Sequence, residues 1–422
     1  MKLSNSTVST MSRLEDITYG DFCLSSVCAP LIIQFYSAEN KVTFALKKFV
    51  KFFWSKNEDH EKLWRLIKNN NKTNLVSYAT SRQNHKDLLE SYVSKIGIED
   101  NYLLFNFKGK PKLTCNFFVF IKTVQFCVKN NIFRNFSLST VCIFLALFEF
   151  LSNKKEIDYY FGDSKPILNY LCLNSAWSSE NLYTHFFNSI GVKTFTFQHA
   201  AYCDFEHAHP IELNSYSNIP SNYFLVWGEY TTDQISKYFS KELKVLYVGN
   251  PVVERFFDSV QYDPEVYSKN VIIIALPRIF YIQEIADLIE TLDSAFESQK
   301  YTYKVRLHPS MTKEDFLNIC GPNCSLVFDF DSESSIHTSI TINKPCAVIS
   351  FNSSIVFELL NLGEIIYIFN AKRNDFYIDQ LQAFNGGTEF FAKLKNATNT
   401  HINKNYFFDD KDTASLRKLL AF

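Results

Sequence analysis

The stretch VIIIALPRIFYIQEIADLIETLDSAFESQKYTYKVRLHPS, residues 271–310, holds two short apolar runs, VIIIAL (271–276) and YKVRL (303–307), separated by a segment of a different period. A run of four to eight residues rich in Val and Ile has the length and composition of a strand buried on both faces. Between the runs, Ile282, Ile285, Leu288, Ile289, Leu292 and Phe296 recur every three or four residues, which places all six on one face of a helix. Strand, helix and strand in this order form a crossover unit, and two strands joined in that way lie parallel.

Working downstream, the alternation continues through SLVFDF (325–330), CAVIS (346–350) and IIYIF (365–369). Thr312-Lys313-Glu314-Asp315 reads as a capping box that opens a second helix. A third helix is expected from near Ser353 to Gly363, with the glycine as a left-handed C-cap. Upstream, NLVSYAT (74–80), IDYYFGD (157–163), KTFTFQH (193–199) and YFLVWG (223–228) read as strands, with long aromatic helical stretches such as 112–153 between them.

A chain of 422 residues is too long for one ordinary core and suits two domains. The Gly, Pro and charge of VGNPVVERFFDSVQYDPEVYSKN (248–270) break the pattern, so the linker is placed there. The expected organisation is a first domain over 1–250, a linker over 251–270 and a second domain over 271–422. The last segment, 412–422, is expected to form a short helix folded back on the first domain. The expected fold is α/β, with two Rossmann-like domains whose parallel sheets face a central cleft.

Composition removes several classes of function. With 43 Lys and Arg against 44 Asp and Glu, the net charge of -1 provides no overall field for a polyanion, so no nucleic-acid partner is expected. The ten cysteines are scattered, and the close pairs Cys23/Cys28 and Cys320/Cys324 lack the second pair or nearby histidines of a zinc site. They read as reduced, mostly buried thiols. The polar start MKLSNSTVSTMSRLEDITYG has no apolar secretion segment, which favours a cytoplasmic location. LSTVCIFLALFEFL (138–151) is shorter than the roughly 20 residues of a membrane span and contains Glu149, so it reads as a buried helix. Forty-two Phe and 23 Tyr give the chain an unusual aromatic weight that points to no particular function, and composition leaves the oligomeric state open.

In open parallel sheets ligands bind beyond the carboxyl ends of the strands, which directs attention to three places. After KVRL come His308, Pro309 and Ser310. Proline ends the strand and holds His308 at its rim, where the imidazole, with Arg306 on the same side, suits a phosphate and a departing charge. The structural alternative is a turn histidine with Arg306 paired to a carboxylate. After CAVIS, Ser353 and Ser354 at a helix start suit a phosphate, and Glu358 one turn on suits a ribose hydroxyl; an ordinary serine cap is the alternative. After KTFTF, Gln198-His199-Ala200 is followed by Asp204, Glu206, His207 and His209. His199 is placed to act as a base, with Asp204 or Glu206 orienting it or replacing it. A metal cluster of His199, Asp204, His207 and His209, or plain loop polarity, are the other readings. Asp329-Phe330-Asp331 has a D-x-D form but lies in the second half and reads as a solvated strand end.

His308-Pro309 and Ser353-Ser354, in this order and at strand ends, resemble the His-Pro and Ser-Ser/Thr motifs of GT-B glycosyltransferases of the bacterial sialyltransferase and Kdo-transferase type. The acidic first-domain motif of those enzymes is replaced here by Gln198-His199-Ala200, which is nearer to a His-Gly pattern of CDP-glycerol glycerophosphotransferases. YFLVWGEYTTDQI and KVLYVGNPVVERF also look like the interdomain passage of this superfamily, including nucleotide-sugar 2-epimerases. The resemblance covers about residues 194–370.

It implies an inverting transferase without a metal or other cofactor, taking a CMP-linked sialic acid or Kdo donor. Arg306, His308, Pro309, Ser353, Ser354 and Glu358 would hold the donor, and His199, His308, Asp204 and Glu206 are the catalytic candidates. The implied acceptor is a lipid-linked or polysaccharide glycan of capsule or lipopolysaccharide synthesis, with peripheral contact at the inner face of the cytoplasmic membrane. Aromatic helices within 112–153 offer that contact no strong basic amphipathic face. The alternatives are transfer of glycerol phosphate or ribitol phosphate from a CDP-linked donor and a GT-B-like scaffold without turnover.

Overall fold

The computed structural model describes residues 5–79, 83–108, 111–162, 167–202, 210–240, 242–259, 263, 267, 269–333, 335–372, 381–396 and 403–421. Its frame is two six-stranded sheets, parallel throughout. The first contains β1 (Asn74–Tyr78), β2 (Tyr102–Asn106), β3 (Asn169–Cys172), β4 (Lys193–Phe197), β5 (Tyr223–Val226) and β6 (Lys244–Tyr247), in the spatial order 6-5-4-3-1-2. The second contains β7 (Lys269–Ala275), β8 (Thr302–Arg306), β9 (Phe328–Phe330), β10 (Pro345–Ser350), β11 (Ile366–Phe369) and β12 (Gln382–Phe384), in the order 9-8-7-10-11-12. Each order reverses direction once, the first sheet between β1 and β3 and the second between β7 and β10. That reversal opens a crevice at the carboxyl ends of the two strands on either side of it.

The isoleucines of VIIIAL explain the centre of the second sheet. Ile273 lies opposite Lys304 on one side and Val348 on the other, and Ile272, Ile273 and Ile274 are all buried. The following helix, Ile282–Asp293, buries Ile285, Leu288, Ile289 and Leu292, but Ile282 is exposed. Phe296 is also exposed, because the helix has already given way to a 3-10 turn over Phe296–Lys300. The six-residue face expected from spacing is therefore a four-residue face. The capping box at Thr312 is present in both directions.

Other expectations need correction. IDYYF (157–161) is not a strand but the end of the 24-residue helix Leu138–Phe161, where Ile157 and Phe161 are buried one turn apart and Tyr159 points out. The strand of this unit is Asn169–Cys172, which is too short to stand out as an apolar run. Gly363 caps no helix: Ile355–Glu358 is a single turn, and Gly363 lies inside the 3-10 segment Leu360–Ile365 without a positive φ. The proposed linker opens as a helix, Pro251–Ser259, whose first turn is capped by Asn250 and whose Glu254 meets Lys95 at 2.6 Å.

The chain finally returns to the first sheet. Tyr247 N–H donates to Asp412 Oδ2 at 2.9 Å, and the helix Thr413–Leu420 follows. Just before it, the backbone of Phe407 crosses Gly228 so closely that a Cβ there would lie 2.4 Å from its carbonyl oxygen, which only glycine permits. Tyr230, Phe357 and Phe407 pack ring to ring across the two halves. No helix among the described residues is long and apolar enough to cross a membrane.

Candidate active site

The carboxyl ends of both sheets open onto one cavity of about 250 Å³. From the first half its wall takes His85, His199, Tyr202 and Trp227; from the second it takes Pro277, Arg278, Tyr281 and His308, with Asn352, Ser353, Ser354 and Glu358 closing one end. The turns after β7 and β10 contribute Arg278 and Asn352–Ser354, so the crevice of the second sheet is the crevice of the cavity. Of the residues expected from the sequence, His199, His308, Ser353, Ser354 and Glu358 come together here. Asp204, Glu206, His207 and His209 lie outside the described residues.

Hydrogen bonding assigns the state of His308. The Ser310 N–H donates to His308 Nδ1 at 3.1 Å, and Ser310 Oγ lies 2.9 Å from the same nitrogen. A nitrogen that accepts an N–H carries no proton, so the neutral ring is protonated at Nε2 and presents a donor there. Pro309 and Ser310 are exposed in the turn, and Ser310 Oγ also accepts the Ile279 N–H at 3.2 Å, tying this turn to the one that carries Arg278. Pro309 thus shapes the turn rather than lining the cavity.

Arg306 takes the structural alternative, a pairing with a carboxylate. Its Nη1 donates to Asp331 Oδ2 at 2.8 Å and to the Glu333 carbonyl at 3.1 Å, and the Asp331 side chain is 1% exposed. A buried carboxylate needs such a partner, and the guanidinium is fixed on the carboxylate rather than in the wall of the cavity. Asp329, the other half of the D-x-D form, is exposed and pairs with Lys304 at 3.2 Å. Among the described residues, no group of three His, Cys, Asp or Glu could hold a metal ion.

The sequence reading missed Arg278, although the rule of looking just past each apolar run applies equally to VIIIALPR. Arg278 lines the cavity and lies over the Phe280 ring at 5.8 Å, so a cation is present at the crevice. The serine turn also differs in kind. One turn of helix carries no useful macrodipole, which removes the expected helix N-terminus. Asn352 is instead left-handed at φ 46° and Ser354 right-handed, so the chain turns sharply at the cavity wall without a helix start.

Glu358 faces the cavity with 37% of its side chain exposed, yet the surrounding walls desolvate the carboxyl and push it up to about 7, against the pull of Arg306. Burial holds His337 down at about 4, so its 3.9 Å approach to Glu358 is not an ion pair near neutrality.

Across the cleft, Gln198 is a framing residue. Its Oε1 accepts from Trp227 N–H at 2.8 Å and Thr231 Oγ at 3.0 Å, and its Nε2 donates to the Ala200 carbonyl at 2.9 Å. These bonds fix the turn that presents His199. Asn174 Oδ1 accepts the Ala176 N–H at 3.1 Å, so its Nδ2 faces His199 Nε2 at 3.4 Å as a donor. His199 Nδ1 then carries the proton and meets Tyr202 OH at 3.0 Å, and the basic lone pair is on Nε2, which accepts from Asn174.

Glu180 holds the backbone of the Asn174 turn, accepting Leu173 N–H at 2.8 Å, and burial pushes it up to about 8. A raised folded-state value means that its stabilising contribution is complete below about pH 4.5 and is lost as pH rises through about 8. Glu180→Gln should therefore match wild type at pH 5 and melt higher by roughly 5 °C at pH 8. Thermal melts at the two pH values test this, and a difference that does not change with pH refutes the assignment.

No family model matches the sequence, and no curated protein matches it. Similar solved structures include the UDP-GlcNAc 2-epimerase from Neisseria meningitidis bound to UDP-GlcNAc, 11% identical, with a TM-score of 0.49 over 82% of this chain and 99% of that one. The S. aureus MnaA–UDP structure is 10% identical, with a TM-score of 0.48 over 82% and 94%. The lipopolysaccharide outer core galactosyltransferase WaaB is 10% identical, with a TM-score of 0.45 over 83% and 99%. The fold rests on the two sheets themselves: doubly wound parallel sheets opening on a shared cleft are the GT-B architecture, and this chain has it.

Proposed function

We propose that the chain is a glycosyltransferase that moves a sugar from a CMP-linked donor, sialic acid or Kdo, to a glycan acceptor. The observation that carries this reading is the meeting of His199 with His308, Ser353, Ser354 and Glu358 in one cavity at the carboxyl ends of both sheets. In this reading the first domain, over 1–250, takes the acceptor and the second, over 271–422, takes the donor, with 251–270 between them.

The donor phosphate rests on His308 Nε2–H, Arg278 and the Asn352–Ser354 turn, and Glu358 accepts from the ribose. The Arg278 cation and these hydrogen-bond donors neutralise charge as the nucleotide leaves, without a metal. His199 Nε2 takes the acceptor proton, and attack from the side opposite the leaving group inverts the sugar carbon. A lipid-linked or polysaccharide acceptor of capsule or lipopolysaccharide synthesis would bring the chain to the inner face of the cytoplasmic membrane.

The test is incubation with CMP-sialic acid, CMP-Kdo, CDP-glycerol and UDP-GlcNAc in turn, following nucleotide release and the fate of the sugar. Release of CMP from one of the first two is the expected result. Consumption of CDP-glycerol instead assigns a glycerophosphotransferase, and epimerised UDP-GlcNAc assigns an epimerase. Absence of cytidine-nucleotide binding by calorimetry assigns a scaffold.

A further inference from the structure

The helix Lys41–Trp54 exposes apolar side chains along its length. Val42, Leu46, Val50 and Trp54 follow one another at intervals of four and are exposed, Leu46 at 62% and Val50 at 55%. Interval-four spacing keeps them on one flank, and exposed Lys47 and Lys51 run beside them. The strand pair Ser55–Asn57 and Pro111–Leu113 continues this surface, with Ser55 opposite Leu113, which is 84% exposed. The helix Phe117–Lys129 adjoins it through Phe120, whose ring lies 6.0 Å from those of Phe49 and Phe53, and it exposes Phe117 and Phe118.

Charge is as uneven as hydropathy. Residues 40–57 contain five lysines and no Asp or Glu, and residues 101–148 contain five lysines, Arg134 and again no Asp or Glu. The chain as a whole is at -1, so its acids lie elsewhere. Of these lysines, Lys48 and Lys51 also face Glu149, and the rest of the patch sets exposed aliphatic and aromatic side chains among ammonium groups, which restricts what can cover it. A second copy across a two-fold axis would set lysine against lysine. An anionic bilayer accepts both features, the rings and aliphatics entering the acyl boundary and the lysines meeting headgroup phosphates.

We propose that the face formed by Lys41–Trp54, Pro111–Leu113 and Phe117–Lys129 docks on an anionic lipid bilayer. It lies on the helical side of the first half, and the inference does not depend on the chemistry of the cleft. Residues 112–153 by themselves offer no strong basic amphipathic face, and the proposed face is shared between two segments distant in sequence.

The experiment is co-sedimentation of the full chain with vesicles of phosphatidylcholine alone and of phosphatidylcholine with phosphatidylglycerol at about 3:1. Binding to the mixed vesicles, weakened by added salt, is expected. Leu46→Ser/Val50→Ser should reduce it by about tenfold or more, and Lys47→Ala/Lys122→Ala by roughly 25-fold, at about fivefold per lysine. All four side chains lie on helix surfaces, so the melting temperatures should remain those of wild type. Absence of binding, or equal binding to both vesicle types, overturns the proposal. So does a dimer in analytical ultracentrifugation that Leu46→Ser/Val50→Ser dissolves, because the face would then be covered by a second copy.

Discussion

Replacing His308 with alanine is expected to lower nucleotide release by about 10²–10³-fold while leaving the fold intact. The magnitude follows from removing a donor that is held in place before the reaction. Because the Ser310 N–H occupies Nδ1, His308 needs no reorganisation to present Nε2–H when charge develops on the leaving phosphate. The ring is half-buried at the cavity wall and contributes nothing to the apolar core, so its loss leaves no cavity of the kind that destabilises. Ser310→Ala is the control. It removes the hydroxyl contact but keeps the backbone N–H that sets the tautomer, so activity should stay within a few-fold of wild type. A His308→Ala enzyme with unchanged turnover and donor kinetics sinks the assignment.

The βαβ pattern of the second half was legible because its strands are buried on both faces and rich in Ile and Val, so period and composition agree. The His-Pro turn was legible for a related reason: proline marks the end of a strand, and the end of a parallel strand is where a ligand binds. What remained hidden depended on partners distant in sequence. Nothing in YKVRL indicates that Arg306 is held by Asp331, 25 residues on, nor does Gln198 disclose that both ends of its amide are occupied by Trp227, Thr231 and Ala200. The first half was harder to read because its strands are short and its helices aromatic. IDYYF carries enough β-favouring residues to imitate a strand, and only the burial of Ile157 and Phe161 one turn apart reveals the helix. Arg278 is a different case, since the same rule that found His308 would have found it.

The base across the cleft gives the second large effect. His199→Ala should lower turnover by about 10²–10⁴-fold and abolish the acidic limb of the pH–rate profile, because that limb records protonation of Nε2. Asn174 provides a finer test. Its amide now donates to Nε2 at 3.4 Å, a contact weak enough for an acceptor hydroxyl to displace. Asn174→Asp puts a carboxylate in its place, which favours the imidazolium, so a higher pH is needed to free the lone pair. The acidic limb should therefore move to higher pH while maximal turnover at alkaline pH is largely retained. A residue that merely supported the turn would lower the rate at every pH and leave the limb where it was. If His199→Ala keeps the wild-type limb, the proton goes to another group, and Asp204 and Glu206 are the next carboxylates along the chain. The neutral tautomer proposed for His199 would then serve to hold Tyr202 rather than to accept a proton.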